Sequence, residues 1–126
     1  MVMVAGWFAT GALLCGLGVL LGAFGAHGLQ SRLTAEMLAT YEIGVRYHIS
    51  HSLGLLAVAW ATSRWPNAWT GSAGWFFVAG IVVFSGSLYL LAVTGTRWLG
   101  AITPIGGLCF VAGWVALAVG ALRVDG

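Results

Sequence analysis

Over 126 residues the chain is 60% hydrophobic and 6% charged, with five basic and three acidic side chains and a formal net charge of +2. A soluble domain carries about a quarter charged residues to keep its surface wet. So few charges exclude an ordinary soluble fold and point to apolar surface facing lipid. The small charge has no run of one sign, so it offers neither a nucleic-acid footprint nor a polybasic lipid-binding tail.

The first long apolar segment is about 4–26. Met1-Val2-Met3-Val4 lacks the basic start of a signal peptide, so this segment is expected to be a retained helix. A span needs roughly twenty apolar residues to cross about 30 Å of hydrocarbon. Three further segments qualify, at about 47–63, 71–94 and 98–122. The expected fold is therefore all-α: a single domain over 1–126 built as a bundle of four transmembrane helices.

Between the first two spans, Leu33, Met37, Leu38, Tyr41, Val45 and Ile49 recur at helical spacing, with Glu36, Glu42 and Arg46 on the opposite face. Glu42 precedes Arg46 at the favourable i,i+4 spacing, and Thr34 is the expected N-cap. Two readings stay open. One is a short amphipathic interfacial helix over about 34–46 that bends near Gly44; the other is one long helix protruding from the membrane. The remaining connections, Arg64-Trp65-Pro66-Asn67-Ala68-Trp69 and Gly95-Thr96-Arg97-Trp98, are short and carry belt aromatics, so sequential spans should pack antiparallel. Thr103 before Pro104 reads as the cap of the last helix.

Helices in lipid gain no hydrophobic drive from meeting, and small residues let them approach. Span one offers Gly11, Cys15, Gly18, Gly22 and Gly25; span four offers Gly106, Cys109, Gly113, Ala116 and Gly120, and reads backwards at the same spacing. Spans one and four are therefore expected to pack seam to seam, with span two adding Ser50, Gly54, Ala57 and Ala61. The rival reading turns one seam outward as an oligomer interface. In the antiparallel register the two sulfurs lie about 10 Å apart in depth, so no disulfide should join them.

Four motifs in order cover nearly the whole chain: Gly22-Ala23-Phe24-Gly25-Ala26-His27-Gly28, Tyr47-His48-Ile49-Ser50-His51, Ser85-Gly86-Ser87-Leu88-Tyr89 and Thr103-Pro104-Ile105-Gly106-Gly107, followed by Ala112-Gly113-Trp114. They resemble the domain-of-unknown-function 423 family of small bacterial membrane proteins, related to eukaryotic transmembrane protein 256. The resemblance implies four transmembrane helices in the bacterial inner membrane and, from the basic tail of family members, a cytoplasmic C-terminus. It matches His27, Tyr47 and His51, and departs at His48, where the family carries Gln. It implies no activity.

Chemistry has few places to sit. A hairpin is expected to return His27, His48 and His51 to one leaflet near Tyr47, Glu42 and Arg46, with Ser85 and Tyr89 in reach. Three imidazoles can ligate a metal, and two can bracket a haem. The bland reading is a hydrogen-bonded cluster tying spans together, with His51 bonded to Tyr89 or Ser85. A serine hydrolase lacks an acid in any span, and an ion site of broken helices lacks a second interrupted span. The expected function is therefore non-catalytic, without cofactor, metal or nucleic acid: a small membrane protein acting through helix packing against lipids, its own copies or a larger complex. The alternative is a binding protein for a metal, haem, quinone or lipid headgroup at the His27/His51 cluster.

Overall fold

A computed structural model describes residues 2–123, and among them the chain is helical throughout, without strands. Helix α1 runs Val2–Phe24 and continues through a π-turn, Gly25–Leu29. After a short turn, α2 covers Ala35–Arg64; its N-cap Thr34 accepts from the Met37 amide at 3.2 Å, as expected. α3 covers Ala68–Gly80, a second π-turn Ile81–Ser85 follows, and α4 completes the rod at Gly86–Thr94. Gly95 stops it with φ +70, the left-handed conformation that glycine adopts without penalty. A 3₁₀ turn, Arg97–Ala101, leads into α5, Thr103–Leu122. The tail beyond Arg123 lies outside the described residues.

Three helical stretches are long and apolar enough to cross a membrane: Val2–Leu29, Ala68–Thr94 and Arg97–Leu122. α2 is long enough, but Glu36, Glu42, Arg46, His48 and His51 thin its apolar run, and it is not among them. Of the two readings for 34–46, the long helix holds: α2 passes through Gly44 without interruption, and at 1.5 Å per residue its 30 residues span about 45 Å. Gly44 does not interrupt it. Its missing side chain makes room for Tyr89, whose Cε1 would lie 2.9 Å from a Cβ there. Thr103 is the first residue of α5 and not its cap; its hydroxyl bonds Ser87 across to α4 at 2.6 Å.

The expected seam between spans one and four is not the one observed. α1 packs along α2, and α5 packs along α3 and its π-turn; α2 and α3 meet in the middle. α1 and α5 are thus the outer, corner helices, one on each central rod. Gly11, Gly18, Gly22 and Gly25 receive Leu55, Ile49, Val45 and Tyr41 of α2. Gly106, Gly113 and Gly120 receive Phe84, Phe77 and Thr70 of the third rod. The physical reason is the shortness of the turns, which makes sequential helices neighbours and lets each small-residue stripe find its complement one helix away. Cys15 and Cys109 are both free and half-buried, on the two corner helices.

Each corner helix also reaches the central rod beyond its neighbour, with a tryptophan among the contacts in each case. Trp7 of α1 lays its ring on Gly74 of α3, and Trp114 of α5 reaches His51 of α2. The apolar centre between them is Leu55, Val58, Ala73, Phe77 and Phe110. Asn67 ties off one end: its side chain closes a capping box on α3 and donates to the Gly120 carbonyl at 3.0 Å.

Candidate functional site

The polar layer expected from the sequence is present, but its membership differs. His48 is 2% exposed. Its Nε2 lies 2.8 Å from the Leu14 carbonyl of α1, which can only accept, so Nε2 carries the hydrogen. In the neutral ring Nδ1 is then an acceptor, and the Tyr89 hydroxyl of α4 donates to it at 2.9 Å. One imidazole thus joins three rods. Beneath it Ser52 donates to the His48 carbonyl at 2.7 Å, and Ser85, wholly buried in the second π-turn, donates to the Gly44 carbonyl at 2.7 Å.

His51 takes the opposite tautomer. Nδ1 lies 2.9 Å from the Tyr47 carbonyl and must donate, so Nε2 accepts from the Trp114 indole N–H at 3.0 Å. Its ring stacks on Phe110 with centroids 3.6 Å apart, and Phe77 meets it edge-on at 5.3 Å. Phe110 fits there because Gly80 offers no Cβ for it to strike. The expected His51 bonds to Tyr89 or Ser85 are not made. His48 takes Tyr89, and Ser85 turns to the backbone.

Two of these bonds repeat one device. A helical side chain leans toward the N-terminus, over the carbonyl of the turn before it. Where residue i+4 is glycine, that carbonyl is left open to a neighbour. Gly18 opens Leu14 to His48, and Gly25 opens Leu21 to the Tyr41 hydroxyl at 2.6 Å. The two locks are seven residues apart on both helices, so donor, acceptor and glycine recur together. The glycines and His48 stand out in the sequence; the carbonyls, and Tyr41 as their second donor, were missed there. The shared spacing of seven was the available signal.

The three histidines do not converge. His48 sits level with Leu14, and His27 lies about 20 Å further along the α1 axis at 1.5 Å per residue, exposed in the first π-turn. Since α2 starts at Ala35, His27 stands beside the hairpin turn while His51 is far down the next helix. The expected cluster rests on the hairpin alone; because 35–64 is one continuous helix, His48 and His51 lie well beyond the turn and the rings are separated instead. Glu42 and Arg46 are exposed on α2. No group of three metal-ligating side chains occurs among the described residues. The structure therefore does not bring His27 to His51 as expected, and Tyr47, His48, His51, Ser85 and Tyr89 remain as one layer.

The family described as "Protein of unknown function (DUF423)" matches residues 21–107 of this chain. UPF0382 membrane protein YwdK of Bacillus subtilis (strain 168) is 46% identical over 114 residues, 90% of this chain and 93% of its own length. UPF0382 membrane protein SSP2132 of Staphylococcus saprophyticus is 46% identical over 114 residues, covering 90% and 94%. UPF0382 inner membrane protein YgdD of Escherichia coli (strain K12) is 41% identical over 106 residues, covering 84% and 81%. No solved structure matches.

Proposed function

The chain belongs to the DUF423 family, and from that premise we propose that it is a multi-pass protein of the bacterial inner (plasma) membrane that acts by packing against other helices. In this reading α2 supplies a fourth crossing through 47–63, residues 1–126 form a single domain, and the C-terminus is cytoplasmic. The partner is a second copy or a larger membrane complex to which this chain is an accessory subunit. Nothing in the reading requires catalysis.

One observation carries it. The polar side chains of His48, His51, Ser85 and Tyr89 are turned inward, whereas the outer faces of the corner helices are apolar and open. Leu13, Leu17, Val19, Leu20 and Phe24 of α1 and Ile105, Leu108, Val111 and Val115 of α5 are all exposed. Polar bonds between helices stabilise a membrane bundle and fix its register. Apolar outer faces suit lipid or another helix.

Cross-linking in intact membranes, followed by purification in mild detergent and native mass measurement, tests this reading. A discrete higher-mass species, either a homo-oligomer or a defined complex, is expected. A single uncross-linked monomer in membranes would overturn it. Reporter fusions at the C-terminus test the orientation separately.

A further inference from the structure

We infer that the His51–Trp114 hydrogen bond is a proton-sensitive latch between α2 and α5. The inference deepens the packing reading, because it assigns a chemical condition to one of the contacts that holds the bundle. Tyr47's carbonyl can only accept, so His51 Nδ1 keeps its hydrogen and Nε2 must offer a lone pair to Trp114. An indole N–H is a donor and nothing else. A proton arriving at Nε2 therefore sets two N–H groups head to head. Neither partner can exchange roles, and the contact opens.

His48 serves as the internal contrast. Its partner at Nδ1 is the Tyr89 hydroxyl, which can rotate and accept, so a proton there preserves both contacts. The asymmetry follows from indole against phenol, not from burial, since both rings are buried.

The surroundings do nothing to offset a charge on His51. From α2 the ring faces Tyr47, stacked at 6.1 Å, with His48 one turn away. α3 presents Phe77, and α5 presents Phe110 and Trp114. Among the described residues no carboxylate and no fixed cation is placed against it. Trp114 has somewhere to go: its side chain is 45% exposed on the outer face. The bond is the one hydrogen bond seen between α5 and α2 among the described residues, so its opening leaves the Phe110 ring on His51 as their main contact while the seam of α5 with α3 stays closed.

The test is a pH series on the full chain in detergent micelles, reading thermal unfolding and the ¹⁵N-indole resonances. Wild type, Trp114→Phe and His51→Gln are compared; the Trp114 resonance is assigned by its loss in the first variant. On acidification the wild-type Trp114 resonance is expected to move to the position of an unbonded indole while those of the other tryptophans stay. Unfolding temperature should fall with it by roughly 3–6 °C, the worth of one hydrogen bond at this chain length. Trp114→Phe has no second donor, so it should keep only the cost of charging a buried ring and lose less in acid than wild type. In His51→Gln the amide oxygen accepts the indole at any pH, so the loss should be absent. A Trp114 resonance that stays put through acid while the fold persists overturns the latch. So does a Trp114→Phe variant as acid-sensitive as wild type; if that variant does not fold, an equally acid-sensitive His51→Gln has the same force. The Trp114 resonance reports a bond within one protomer, so the latch and the packing reading can fail separately.

Discussion

The two hairpins of this protein start from the same pattern of small residues and lock it differently. Between α1 and α2 the notches at Gly18 and Gly22 receive the branched side chains of Ile49 and Val45, that at Gly25 receives the Tyr41 ring, and the carbonyls uncovered beside Gly18 and Gly25 are bonded by His48 and Tyr41. Between the third rod and α5 the notches at Gly80 and Gly113 receive the rings of Phe110 and Phe77, and Gly106 lies directly on the backbone of Phe84. Hydrogen bonds there are confined to the ends, at Asn67–Gly120 and Ser87–Thr103. A bond to a carbonyl fixes register through direction, whereas a ring in a notch fixes it through shape. Shape tolerates less, because a close-packed contact has no slack to give.

The comparison can be broken most severely at Gly106. Alanine there would drive its Cβ into the Phe84 backbone, which cannot step aside as a side chain can. Gly106→Ala should cost toward the upper end of the roughly 1–3 kcal/mol typical of overpacking. Gly22→Ala in the other hairpin, where Val45 Cγ1 would lie at 3.3 Å, should cost well under half as much. Thermal unfolding of both in one detergent measures the ratio; equal losses would mean the two locks do not differ.

Removing the directional lock comes next. His48→Ala should cost about 1–3 kcal/mol, because it strands the Tyr89 hydroxyl and leaves a void. His48→Gln should recover most of that, since an amide offers one donor to Leu14 and one acceptor to Tyr89. If Gln is as damaging as Ala, the hydrogen bonds are not what the ring contributes.

The smallest effect lies off both seams. A Cβ at Gly16 would meet nothing within 4 Å, so Gly16→Ala should gain about 0.5–1 kcal/mol from helix propensity alone. A loss there would indicate that this face is covered by another helix. That result would bear on the oligomer directly.

Much of the fold was legible in the residues. Low charge and long apolar runs pointed to the helical class and the positions of the three apolar rods, and Thr34 announced the start of α2. The glycine stripes were legible as packing surfaces but not as pairs, because two stripes of like spacing fit each other on paper as well as they fit anything else. The histidines misled for a related reason. Periodicity over 34–46 does not say whether that helix runs unbroken into the next span, and because it does, His27 lies about 20 Å along the axis from the His48 layer.

By itself, then, the sequence determined what kind of surface each helix carries: apolar outside, small along one stripe, polar at a few positions of α2. These are properties of single helices, set by side-chain chemistry and the 3.6-residue period. The tertiary structure decided which stripe meets which, which carbonyls His48 and Tyr41 bond, and that Trp114 closes on His51. Those choices depend on contacts between residues tens of positions apart, and a local pattern does not encode the turn geometry that selects among them.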